Sequence, residues 1–174
     1  MKVLALLAGC ILTVTCVLYI VSNAVPSWAQ ISSGGYSVLT YGLWKKCDQG
    51  PDGSECELLK CPMKDDDSSV CSRILAGRAF MTLACILSGI TTISLFICAF
   101  TDVGKNRILL LITKASAFVC LIMGIIGVGV GGSIIQILSE GSVKFSLGAA
   151  STLGIIAIII NLVGAIVSLF IKQS

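Results

Sequence analysis

Apolar and polar stretches alternate along this chain on a scale far longer than a soluble helix. Positions 3–25 carry no charge, and at 1.5 Å per residue such a run crosses a hydrocarbon core about 30 Å thick. Polar residues then persist until about Arg73. Apolar runs return over 79–100, 108–130 and 145–171. The pattern predicts four spans in a single membrane domain, with a long loop over 26–78, a tight polar turn over 101–107 and a short second loop over 131–144. A cleaved leader is the alternative for the first run, because Ser22-Asn23-Ala24 resembles a small-residue cleavage site. The run is much longer than a leader's apolar core of about 7 to 15 residues, and only Lys2 precedes it, so a span is expected. Backbone groups in hydrocarbon must be satisfied within the chain, which makes the spans helices: an all-α transmembrane four-helix bundle.

Composition agrees. Of 174 residues, 56% are hydrophobic and 12% charged, and the mean hydropathy is +1.00, where a soluble domain carries roughly a quarter charged residues. The lipid bilayer is therefore the first expected partner. Lys105 and Arg107 sit in the turn, and Lys2 and Lys172 near the ends. The positive-inside tendency places the turn and both termini in the cytoplasm. Four cysteines, Cys47, Cys56, Cys61 and Cys71, lie in the long loop, and paired thiols need the oxidising exterior. The net charge of +3 comes with no dense Lys/Arg run, so no nucleic-acid partner is expected. The chain has no histidine, and its acidic groups show no catalytic spacing. Neither enzymatic activity nor a cofactor is expected. A four-cysteine zinc site wants pairs two to four residues apart; Cys56 and Cys61 come nearest, and no metal is expected.

Small residues four apart, Ala84 with Ser88, Gly127 with Gly131 and Ala150 with Gly154, let helix backbones approach closely. They serve packing inside the bundle or an oligomer face. Asn161, deep in the fourth run, is expected to bond a neighbouring helix. Lys114 lies near enough to the start of the third run to extend its ammonium to the interface. Cys98, close to the cytoplasmic end of the second run, is a candidate for palmitoylation. The other cysteines of the apolar runs read as small packing residues.

The loop carries a resemblance. Ala24-Val25-Pro26-Ser27-Trp28 ends the first run, Gly42-Leu43-Trp44 is followed by Cys47 and Cys56, and Leu75-Ala76-Gly77-Arg78 leads into the second run. This constellation resembles the claudin superfamily, which includes the epithelial membrane, peripheral myelin and lens-fibre tetraspan proteins. The resemblance implies a small extracellular antiparallel β-sheet standing on the bundle, a plasma-membrane location at cell-cell contacts such as tight or septate junctions, and cell adhesion or a paracellular barrier or ion path made by the first loop. Its implied partners are further copies or related claudin-like proteins, in cis or trans. The other reading is an auxiliary or trafficking subunit that associates laterally with another membrane protein such as an ion channel.

The loop residues fit a sheet. Ser37 to Tyr41 and Leu43-Trp44 are β-prone, and Gln49-Gly50-Pro51-Asp52-Gly53 is a turn in which proline presets φ and glycine accepts positive φ. A hairpin around it would be bridged by Cys47 and Cys56, leaving Cys61 to pair with Cys71. Cys47 with Cys61 is the rival, because the spacing from Cys61 to Arg78 resembles that of claudins. Trp28 and Trp44 read either as an interfacial aromatic belt or, as the resemblance implies, as anchors of the sheet. Arg78 either reaches the interface unpaired or is held by loop carbonyls or an acid. Asp65, Asp66 and Asp67 are candidates for charge selectivity, as charged residues of the corresponding claudin region are; a solvated turn capping the next helix is the plainer reading.

Overall fold

The computed structural model describes residues 2–33, 36–50, 53–61, 68–101, 107–138 and 145–171. Among these, helices α1 (Lys2–Ala24), α2 (Ser68–Phe100), α3 (Arg107–Leu138) and α4 (Ala149–Leu169) surround a common core. Each helix packs on two others, in the cyclic order α1, α2, α3, α4. All four are long and apolar enough to cross a bilayer.

Burial is distributed in the opposite sense to a water-soluble bundle. Small residues such as Ala8, Ala84, Ala117, Ala150, Ala157 and Ala165 fill the interior, while Ile90, Ile93, Ile97, Leu111 and Ile159 face outward. Close packing of small side chains is what remains to hold helices together when the surroundings are as apolar as leucine. The candidate pairs take part in it. Ala84 and Ser88 are buried, Gly127 faces Met81, and Gly154 faces Val128 and Ser22. Hydroxyl side chains are tolerated because they bond back to their own helix, as Thr15 Oγ1 does to Ile11 O (3.2 Å) and Thr113 Oγ1 to Leu109 O (2.8 Å). Thr91 and Ser116 also bond each other across α2 and α3 (2.8 Å).

A five-stranded antiparallel sheet caps one end, in the order β4-β3-β2-β1-β5. Its strands are β1 (Ala29–Ser33), β2 (Tyr36–Tyr41), β3 (Lys45–Gly50), β4 (Gly53–Leu58) and β5 (Ser146–Leu147). Strands β3 and β4 pair with Gly50 opposite Gly53 and Gly53 at φ +127°, a conformation open to glycine at little cost; Pro51 and Asp52, the centre of the expected turn, lie outside the described residues.

The structure departs from the sequence reading at several boundaries. Leu43 and Trp44 are not strand: they form the connection from β2 to β3, closed by Gly42 N–H donating to Lys45 O (2.8 Å). Ser146 and Leu147, read as the entry to the fourth run, instead form β5 beside Gln30 and Ala29. The helix then begins at Ala149. Helices α2 and α3 start or end well beyond their apolar runs, so part of the expected second loop, from Gly131 to Leu138, is helical. An α-helix satisfies its own backbone and has no need to stop where hydrophobicity does.

Candidate functional site

The family-like residues converge where the sheet meets the bundle. Trp28 lies four residues past the end of α1 and is 2% exposed, which places it in the core rather than in an exposed aromatic belt. Its indole N–H donates to Ser22 O (2.8 Å), and its ring lies against Gly131 of α3, where any Cβ would overlap the indole. The backbone on either side of the ring is equally engaged. Trp28 N–H donates to Tyr41 O (2.8 Å), Gly148 N–H to Trp28 O (2.9 Å) and Ala150 N–H to Ser27 O (3.0 Å). Ser22 Oγ donates to Ala150 O (2.7 Å). The end of α1, the start of α4 and the middle of the sheet are thus one hydrogen-bonded joint.

The Gly42-Leu43-Trp44 bend makes a second attachment, to α2. Gly42 lies so close to Pro26 that a Cβ would overlap its Cα. Leu43 points down and is buried against Gly77. Trp44 turns outward, is 41% exposed, and donates its indole N–H to Asn23 Oδ1 (3.0 Å). Arg78 is held by loop carbonyls. Its Nε donates to Leu43 O (2.5 Å) and Nη2 to Leu59 O (2.9 Å), while the guanidinium stacks 5.0 Å from the Trp44 ring centre. Arg78→Gln is expected to leave one of two carbonyls without a donor and to cost about 2–3 kcal/mol. Thermal unfolding of the purified protein in detergent checks this, and Arg78→Lys should recover less than half, because an ammonium cannot reproduce the planar fork.

Cys47 and Cys56 face each other across β3 and β4 and form one disulfide; Cys61 and Cys71 form the second. The first bridge therefore lies across the hairpin, and the rival pairing of Cys47 with Cys61 is not formed. With these sulfurs joined, the zinc alternative has no thiolates left among the four. Beyond the bridge the sheet is open. Every residue of β4 is exposed, and its outer edge has no neighbouring strand among the described residues.

Charge on the hairpin is arranged by register. Lys46 lies opposite Glu57 and over the Tyr41 ring, whereas Asp48 lies opposite Glu55. Sequence reading passed over this pair of facing carboxylates, because the two are seven positions apart and meet only through the turn. Asp65, Asp66 and Asp67 lie outside the described residues.

Below the joint, Asn161 is fully buried and donates from Nδ2 to Tyr19 Oη (3.3 Å) and Cys120 Sγ (3.4 Å), linking α4 to α1 and α3. Its Oδ1 has no partner among the described residues. Asn161→Leu, of similar size, is accordingly expected to change stability by no more than about 1 kcal/mol, read from the same unfolding measurement. Lys114 does not simply reach outward: Nζ donates to Leu169 O (3.3 Å) and Ile171 O (2.8 Å), supplying donors to carbonyls at the C-terminus of α4. Cys98 is a half-buried free thiol at this end, opposite the sheet.

The chain matches no protein-family model and no curated protein sequence.

Proposed function

We propose that this chain is a claudin-like cell-junction protein of the plasma membrane. Four spans hold both termini in the cytoplasm and present the sheet outside, where it makes adhesive or barrier-forming contacts with copies of itself or with related proteins. It catalyses no reaction in this reading. The observation that carries the proposal is the convergence of Trp28, Gly42, Leu43, Trp44 and Arg78 on one joint. Those residues seat the sheet on the bundle, which leaves the hairpin tip and the outer edge of β4 free to meet a partner. The large outward-facing side chains of the helices suit a lipid surround, and the two disulfides suit an oxidising exterior. Asp48 and Glu55 are the described groups best placed to favour cations in a narrow intercellular space.

Mixing cells that express a tagged chain with cells that do not tests the proposal. Tagged protein should concentrate at borders between two expressing cells and be depleted from mixed borders. Uniform distribution around every expressing cell would overturn adhesion and favour an auxiliary subunit that follows its own membrane partner.

A further inference from the structure

The foot of the β3–β4 hairpin differs from its tip in two ways. It is apolar: Trp44 is 41%, Leu58 66% and Leu75 51% exposed, and the first two are adjacent through Leu59 N–H donating to Trp44 O (2.9 Å). It is also basic. Lys45, opposite Leu58 in the register, is exposed, as is Lys60, whereas Asp48 and Glu55 face each other nearer the turn. Glu57, the acid next to Leu58, is matched by Lys46 across the strands.

Leu75 is one turn before Arg78 on α2, and Arg78 stacks on Trp44. Leu75 also begins the outward apolar stripe of that helix, which continues through Leu83, Ile86, Ile90, Ile93, Ile97 and Phe100. From Leu75 to Phe100 an α-helix rises about 38 Å, more than the hydrocarbon thickness of about 30 Å by roughly the depth of one headgroup layer. If Phe100 lies at the inner boundary of the hydrocarbon, Leu75 lies within the headgroup layer on the other side, and the hairpin foot stands at that depth beside it. Tryptophan favours that layer for its amphipathic ring, and Lys and Arg are the side chains that bond phosphate.

We propose that the hairpin foot is a lipid-docking surface: Trp44, Leu58 and Leu75 settle into the outer headgroup layer, and Lys45 and Lys60 take lipid phosphates. This rests on the membrane reading above. Its consequence is that the sheet leans on the bilayer along the α1–α2 side and turns its acidic tip away from it.

Trp28 and Trp44 are the only tryptophans, so the emission lost in Trp44→Phe isolates Trp44. The full chain is placed in phosphatidylcholine nanodiscs and quenched either by acrylamide or by a phosphatidylcholine carrying a nitroxide high on its acyl chain. The lipid nitroxide should reduce Trp44 emission at least about twofold and acrylamide should reduce it little. Strong acrylamide quenching with weak nitroxide quenching would put the foot in water, and shielding from both would mean that protein covers it; either result overturns the proposal. Lys45→Gln combined with Lys60→Gln should lower the nitroxide quenching, and an unchanged value would remove the phosphate contacts. Retention of the chain in alkali-washed membranes is read separately. A chain that washes off ends the membrane reading and this proposal together, whereas one that stays with Trp44 in water ends this proposal alone.

Discussion

Trp28→Ala should lower stability by about 3–5 kcal/mol, the usual cost of deleting a large buried aromatic ring. The ring fills the space over Gly131, and its N–H satisfies Ser22 O. The variant leaves a cavity and a buried carbonyl without its donor at the same point. Trp28→Phe keeps most of the packing and loses only the hydrogen bond, so about 1–2 kcal/mol is expected for it. Thermal unfolding of both variants in detergent gives the comparison. Equal losses would mean that the hydrogen bond, not the ring, does the holding.

Gly148→Ala should be nearly as damaging, though it adds a single methyl group. The φ of Gly148 is −85°, which any residue accepts, so the need for glycine is one of space. A Cβ there would overlap the carbonyl oxygen of Ser27. That oxygen accepts from Ala150 N–H and cannot move without loosening the start of α4. Relief requires β5 to withdraw, which breaks the bond from Gly148 N–H to Trp28 O. Steric strain and two weakened hydrogen bonds together should cost about 3 kcal/mol. Gly129→Ala is the control. Its Cβ meets nothing within 4 Å, and in a helix it should be neutral or stabilising by up to about 1 kcal/mol. Surface delivery in cells, along with unfolding in detergent, should separate the two.

What the sequence discloses is governed by how local each interaction is. The apolar runs show themselves because every residue of a span faces the same demand, and the β3–β4 hairpin because its turn chemistry and Cys47 and Cys56 lie within a few positions of one another. Trp28, Trp44 and Arg78 stand out by kind, though the fate of each depends on distant partners. One tryptophan is buried against α3 and the other is exposed beside α2, and composition does not distinguish them. Strand β5 is illegible for a plainer reason. Ser146 and Leu147 have no pattern of their own, and they are extended because Ala29 and Gln30 pair with them. Lys114 reads as an interfacial cation until the end of α4 is seen to lie against it.

The pairing of β1 with β5 also dictates when this protein can finish folding. Ser146 Oγ donates to Gln30 O across 116 residues of chain, and the lock of α4 onto Trp28 closes at the same place. At about 5–20 residues per second, a ribosome makes that intervening length in about 6–25 s. From the time Cys71 is made until Ser146 is made, the loop has all four of its cysteines but neither its final strand nor the last wall around its tryptophan. In that interval the sheet is half-seated and its indole exposed. Completion of the sheet should follow the arrival of the fourth helix rather than formation of the first disulfide.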